Sequence, residues 1–121
     1  MMVVLDTNFI TLPVQFGVDI FGDIEKRMPN ATLVTISQVL EELKRLGKMG
    51  KIGVEMLDKF GVKILKRKGA TDDALLQLAV KNHGLLCTND KLLKKRALEK
   101  NVPVMFMRKK RILEISGGLD V

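Results

Sequence analysis

Short apolar runs alternate with stretches of helical spacing along the whole chain. Runs at residues 3–5, 31–36, 62–65, 85–88 and 103–107 predict buried strands. Between them, residues 20–28, 38–48, 52–60, 72–82 and 91–100 carry apolar side chains at helical intervals. Repeated βα units of this length imply an α/β fold in which helices cover both faces of a parallel sheet. Gly61, Gly69, Gly84 and Pro103 punctuate the joins. Residues 112–121 read either as a short edge strand or as loose chain. No internal repeat or long linker divides the sequence, so residues 1–121 are expected to form one domain.

Composition narrows what such a domain does. The formal net charge is +7 and the isoelectric point is near 9.7, which favours a polyanionic partner. Aromatic residues make up 4% of the chain, with no Trp and no Tyr, so base-specific reading by stacking is not advertised. With one Cys, Cys87, and one His, His83, neither an internal disulfide nor a zinc cage of soft ligands is available. Any metal must be held by oxygen. No apolar run approaches the ~20 residues that cross a membrane, and no signal-peptide pattern opens the chain. The lone cysteine fits a reducing cytoplasm.

Open parallel sheets bind ligands beyond the carboxyl ends of their strands, and acids collect there. Asp6 directly follows the first predicted strand, and Asp90 follows the strand at residues 85–88. Glu41 and Glu42 lie in the first turns of the helix after residues 31–36, and Asp72 and Asp73 open the helix after residues 62–65. Helical geometry separates the neighbours. Against the stripe Val39, Leu40, Leu43 and Leu46, Glu42 lies alongside and Glu41 nearly opposite. Asp72 precedes Leu75, Leu76 and Ala79 by three, four and seven residues, whereas Asp73 falls on the flank with Gln77. Glu42 and Asp72 are therefore the inward pair. Each acid also has a structural reading: Asp72 and Asp73 complement a helix dipole behind a Thr71 cap, Asp90 caps a helix, and Asp6 ends a strand. Convergent carboxylates, however, repel one another and raise each other's pKa, a penalty that Mg²⁺ or Mn²⁺ removes.

These residues resemble the motifs of the PIN-domain nucleases. Val3-Val4-Leu5-Asp6-Thr7-Asn8 is similar to the family's opening motif, and Ser37-Gln38-Val39-Leu40-Glu41-Glu42-Leu43 to its second, in which the acid before the leucine is Glu42. Thr71-Asp72-Asp73-Ala74-Leu75 and Thr88-Asn89-Asp90 resemble the third and fourth, with the family's spacing between Asp72 and Asp90. One departure is His83-Gly84 leading into the short run Leu85-Leu86-Cys87. Within the family, the Asp72-Asp73 doublet and the Thr-Asn-Asp ending resemble small archaeal proteins related to the ribosomal-processing endonucleases. The chain is also similar to the toxin subunits of VapBC toxin–antitoxin pairs. The resemblance implies a PIN-like fold with a five-stranded parallel sheet. It also implies Mg²⁺- or Mn²⁺-dependent cleavage of mostly single-stranded RNA, and homodimerisation. An antitoxin or a ribosomal precursor particle is the implied partner.

On this basis Asp6, Asp72 and Asp90 are expected to hold one or two ions, with Glu42 as ligand or water-positioning group and Asp73 as the alternative to Asp72. Thr7, Asn8, Thr88 and Asn89 would orient the carboxylates, or serve as turn and cap residues. Lys44, Arg45, Lys48, Lys94, Lys95 and Arg96 would bind backbone phosphate. His83 reads as a residue at a helix C-terminus. The apolar side chains of residues 11–21 are expected in the core or, if exposed, on a dimer or antitoxin surface. Two other readings share the residues. Haloacid-dehalogenase-like phosphatases also place Asp after the first strand, but need a second Asp where this chain has Asn8. A non-catalytic RNA-binding or ribosome assembly factor could use the same fold.

Overall fold

The computed structural model describes residues 1–118. Its strands are β1 (Met2–Leu5), β2 (Thr32–Ile36), β3 (Lys63–Leu65), β4 (Leu85–Cys87), β5 (Val104–Arg108) and β6 (Ile112–Ser116). Its helices are α1 (Thr7–Ile10), α2 (Leu12–Phe16), α3 (Ile20–Arg27), α4 (Ser37–Lys44), α5 (Gly47–Lys59), α6 (Thr71–Lys81) and α7 (Lys91–Glu99). The six strands lie in one sheet of order β3-β2-β1-β4-β5-β6. The first five strands pair in parallel, and β6 returns antiparallel to β5.

The central strands carry no alternation because both of their faces are covered. Val3, Val4 and Leu5 of β1 and Leu85, Leu86 and Cys87 of β4 are all fully buried. Among the helices, α1 packs on α4, α2 on α5, and α6 on α7. Successive right-handed crossovers put α1–α5 on one face of the sheet and α6 and α7 on the other. The polar Thr35 is tolerated inside because its Oγ1 donates to the Leu5 carbonyl at 2.7 Å.

The sheet differs from expectation in one strand. Residues 112–116 form an antiparallel sixth strand rather than loose chain, in register from Arg108↔Ile112 to Val104↔Ser116. Residues 119–121, the end of that ambiguous tail, lie outside the described residues. The helix expected over residues 38–48 is also two helices. α4 stops at Lys44, the chain turns through Arg45 and Leu46, and Gly47 takes a positive φ of 60° as α5 begins. Leu46, counted in the apolar stripe, is consequently 40% exposed. α5 then crosses α4 so closely that a Cβ at Gly50 would overlap the Leu43 carbonyl oxygen.

Candidate active site

The connections reverse direction between β1 and β4. Strands β2 and β3 continue to one side of β1, and β5 and β6 to the other side of β4. The chain therefore leaves a crevice at the carboxyl ends of β1 and β4, where no crossover covers the sheet edge. Asp6 follows β1 into this crevice, and Asp90 stands on the β4 side of it.

Asp6 is 5% exposed, yet both its oxygens are partnered. Oδ1 accepts from the Thr7 backbone N–H at 2.7 Å and Oδ2 from Thr88 Oγ1 at 2.7 Å. Burial pushes its carboxyl up to about 6; the Thr88 and Thr7 hydrogen bonds oppose that rise, while the charges of Asp72 and Glu42 add to it. Glu42, half-buried on α4, is gripped from two sides. Thr7 Oγ1 donates to Oε1 and Thr71 Oγ1 to Oε2, each at 2.5 Å. Its neighbour Glu41 faces solvent, 3.7 Å from Lys44. Helical phase thus separates the two glutamates as their spacing predicted.

Asp72 and Asp73 separate in the same way. Asp72 is half-buried in the first turn of α6, and its carboxyl is raised by burial first and then by the charge of Asp90. Glu42 and Asp73 add to the rise, against the opposing guanidinium of Arg96. Asp73, the alternative ligand, turns outward and pairs with Arg96 at 2.6 Å. Asp90 caps α7, its Oδ1 accepting from the Leu93 N–H at 3.0 Å. One of its oxygens therefore does the structural work foreseen for it.

Among the described residues, no three or more His, Cys, Asp or Glu side chains are gathered tightly enough to chelate an ion as they stand. The charges of Glu42 and Asp72 still reach Asp6, and those of Glu42 and Asp90 reach Asp72. Chelation needs oxygens within ~2–2.6 Å of a single point, whereas repulsion reaches several ångströms farther. The mutual repulsion is the better guide to shared location, because several of these carboxylate oxygens are turned toward hydroxyl and amide donors. A donor set made only of carboxylates fits a hard divalent ion better than zinc or copper.

The flanking polar residues divide into two kinds. Thr7 and Thr88 touch the acids directly. Asn8 and Asn89 instead join loops: Asn8 Oδ1 accepts from the Asn89 N–H at 2.9 Å, and Asn89 Oδ1 from the Met107 N–H at 2.8 Å. Thr71 was expected to cap α6, but Ala70 holds the cap position and the Thr71 hydroxyl is spent on Glu42. Its place just before Asp72 was the available signal, and it read equally well as a cap.

The cations expected to meet phosphate are differently placed. Arg45, Lys48 and Lys95 are exposed, and Lys44 pairs weakly with Glu41. Lys94 lies over the Phe106 ring at 3.4 Å, and Arg96 bridges to Asp73 beside Asp72. His83 is exposed beyond the end of α6, with a positive φ of 49°. It lines a cavity of about 440 Å³ with Met1, Gly84 and Pro103, at the amino ends of the strands and without a carboxylate. Burial pushes the Cys87 thiol well up, so it is no nucleophile. Of the segment at residues 11–21, Leu12, Ile20 and Phe21 are core, whereas Val14 and Phe16 are exposed.

The fold is matched in known proteins. The family described as PIN like domain matches residues 3–110. Ribonuclease VapC4 of Methanocaldococcus jannaschii is 30% identical over 128 residues, covering 95% of this chain and 96% of that protein. The structure of the PIN domain endonuclease Utp24 superposes with a TM-score of 0.83 at 25% identity, covering 99% of this chain and 94% of that one. VapBC-1 from nontypeable Haemophilus influenzae shares the fold, with a TM-score of 0.60 at 16% identity over 88% of this chain and 97% of that one. With a match that spans most of its length, the chain belongs to the PIN-like domain family.

Proposed function

We propose that this protein is a divalent-metal-dependent endoribonuclease whose working edge is the crevice between β1 and β4. The observation that carries the reading is that acids distant in sequence come within reach of one another: Asp6 feels the charges of Glu42 and Asp72, and Asp72 those of Glu42 and Asp90. The named activities of a ribonuclease relative and an endonuclease structure support it. Asp6, Asp72 and Asp90 would hold Mg²⁺ or Mn²⁺, with Glu42 as a further ligand or a water-positioning group. A divalent cation there supplies Lewis acidity, making water a nucleophile near neutral pH and offsetting charge on the phosphoryl oxygens.

The chain's own groups do the positioning. Thr7 and Thr71 fix the Glu42 carboxylate from both sides, and Thr88 with the Thr7 N–H fixes Asp6. Arg96, tethered by Asp73 next to Asp72, is placed to meet a phosphate oxygen of the bound strand. The basic excess of the chain attracts the polyanion, so affinity falls steeply with salt. No general-base histidine is needed, in keeping with the remote position of His83.

Incubation of a single-stranded RNA with the protein and Mn²⁺ or Mg²⁺ is expected to give internal cleavage, lost on chelation and restored by adding the metal back. Cleavage that continues unchanged in chelator would sink the reading. The two expected partners separate by capture from cells: an antitoxin would copurify as a small protein, a ribosomal precursor as RNA-containing particles. Sedimentation of the purified chain tests the expected homodimer.

A further inference from the structure

Phe16 differs from every other phenylalanine in the chain. Phe9 and Phe21 are buried, Phe60 stacks on Phe21 with centroids 4.4 Å apart, and Phe106 lies under Lys94. Phe16 is 41% exposed, beside Val14 at 39%, on the short helix α2. α1 and α2 run on directly from Asp6, so at ~1.5 Å of rise per helical residue the Phe16 backbone lies within roughly 15 Å of the Asp6 backbone.

Across from it stands the β5–β6 turn, Arg108-Lys109-Lys110-Arg111, exposed throughout. β5 runs parallel to β4, so this turn projects at the same sheet edge as the acids. It is fixed to that edge through Asn89, which accepts from Met107 N–H and donates its own N–H to Asn8. Lys110 Nζ lies 5.9 Å from the Phe16 ring centroid. Arg108 is paired with Glu114, but Lys109, Lys110 and Arg111 make no salt bridge among the described residues. Of the nearby acids, Asp19 accepts from the Gly22 N–H and Asp23 pairs with Arg27. Lys109 and Lys110 also take positive φ values of 54° and 59°, in a turn that Asn-Gly would fit without strain. Local stability would favour a different pair, while anion binding favours these two lysines.

We propose that Phe16 and the Lys109-Lys110-Arg111 turn form a docking subsite for single-stranded RNA. One base stacks on the Phe16 ring, and the phosphates flanking it are held by the turn. The proposal rests on the ribonuclease reading above and deepens it. A lone aromatic face beside exposed cations accepts any unpaired base, because every base has a π-face. Such a subsite selects for strandedness rather than sequence, which suits a chain so poor in aromatic residues. It would hold the strand a few nucleotides from the bond presented to the acids.

Binding is measured on an Asp6→Asn background, so that the RNA survives. Phe16→Ala is expected to weaken a single-stranded oligoadenylate about tenfold, the scale of one stacked base. An abasic ribose-phosphate oligomer of equal length should bind both forms alike. Phe16→Trp would place a single emitter in a chain without Trp or Tyr, quenched by oligoadenylate and not by the abasic oligomer. Lys109→Asn with Lys110→Gly should lower the slope of log affinity against log salt by about 1.4, two phosphates' worth for a single strand. Unchanged oligoadenylate affinity in Phe16→Ala overturns the proposal. So does a loss of self-association with RNA binding intact, which would make the face a protein interface. If the unmodified chain shows these binding effects yet cuts no RNA, the subsite stands and the ribonuclease reading falls.

Discussion

The two halves of the acidic edge are built differently. On the strand half, Asp6 is buried and Glu42 half-buried, and all four of their oxygens are held by short hydrogen bonds from Thr7, Thr71 and Thr88. On the helix half, Asp72 and Asp90 sit at helix N-termini, partly solvated, with Arg96 close enough to relieve Asp72. The first half gains geometry at the expense of solvation. In the second, the helix N-terminus of α6 and the Arg96 guanidinium oppose the rise that burial and Asp90 impose on Asp72. Activity should depend on both halves, but folding stability should suffer only from the strand half.

That contrast can be broken outright by neutralising one acid from each side. Asp6→Asn and Asp72→Asn should each lower cleavage by about 10³-fold or more, the scale of removing one group that stabilises transition-state charge. Thermal melts separate them: Asp6→Asn should raise the midpoint of the metal-free protein, and Asp72→Asn should leave it nearly unchanged. Equal shifts in both melts would end the distinction.

The next largest effect is on pH. Asp6 is raised in the folded protein from 3.8 to about 6, so the folded state holds a proton that the unfolded state releases first. Its contribution to stability is therefore fully present at low pH and is lost as pH rises through that window. The loss amounts to on the order of 3 kcal/mol. Denaturant midpoints between pH 4 and 7 in chelator should record this fall, and Mg²⁺ should shrink it. Asp6→Asn should remove it.

A smaller effect sharpens the role of the hydroxyl clamps. Thr71→Val frees one Glu42 oxygen and should weaken Mn²⁺ affinity about tenfold, the lower end for loss of a group that orients a ligand. Thr71→Ser should restore it, which a purely helix-capping role does not require of the metal titration. Smallest of all is Glu41→Gln. Its carboxylate is exposed and only loosely paired, so stability should change by less than about 0.5 kcal/mol and cleavage hardly at all.

The parts of this arrangement that the sequence displays are those governed by long-range periodicity. Five strands, and the choice of Glu42 over Glu41, follow from which positions must face the core. The parts that it hides are short or conditional. α1 and α2 span only four and five residues, too few for a helical period to register, and α1 is started by an Asp6 side chain that reads simply as a strand end. The β5–β6 turn lacks the Asn-Gly pair that announces a hairpin, so its lysines look like a charge run and β6 like a tail. Thr71 is ambiguous in a different way. A hydroxyl before an acidic helix start is usually a cap, and only the arrival of α4 from elsewhere in the chain diverts it to Glu42.

Gly50 shows how far the chemistry depends on a residue without any. The backbone of α5 rests on the carbonyl of Leu43, the residue next to Glu42, and no side chain larger than hydrogen fits between them. A methyl group there would act as a wedge under α4, tilting the carboxylate away from its two threonine partners. Reach and aim at the crevice are thus set partly by a contact on the far side of the helix.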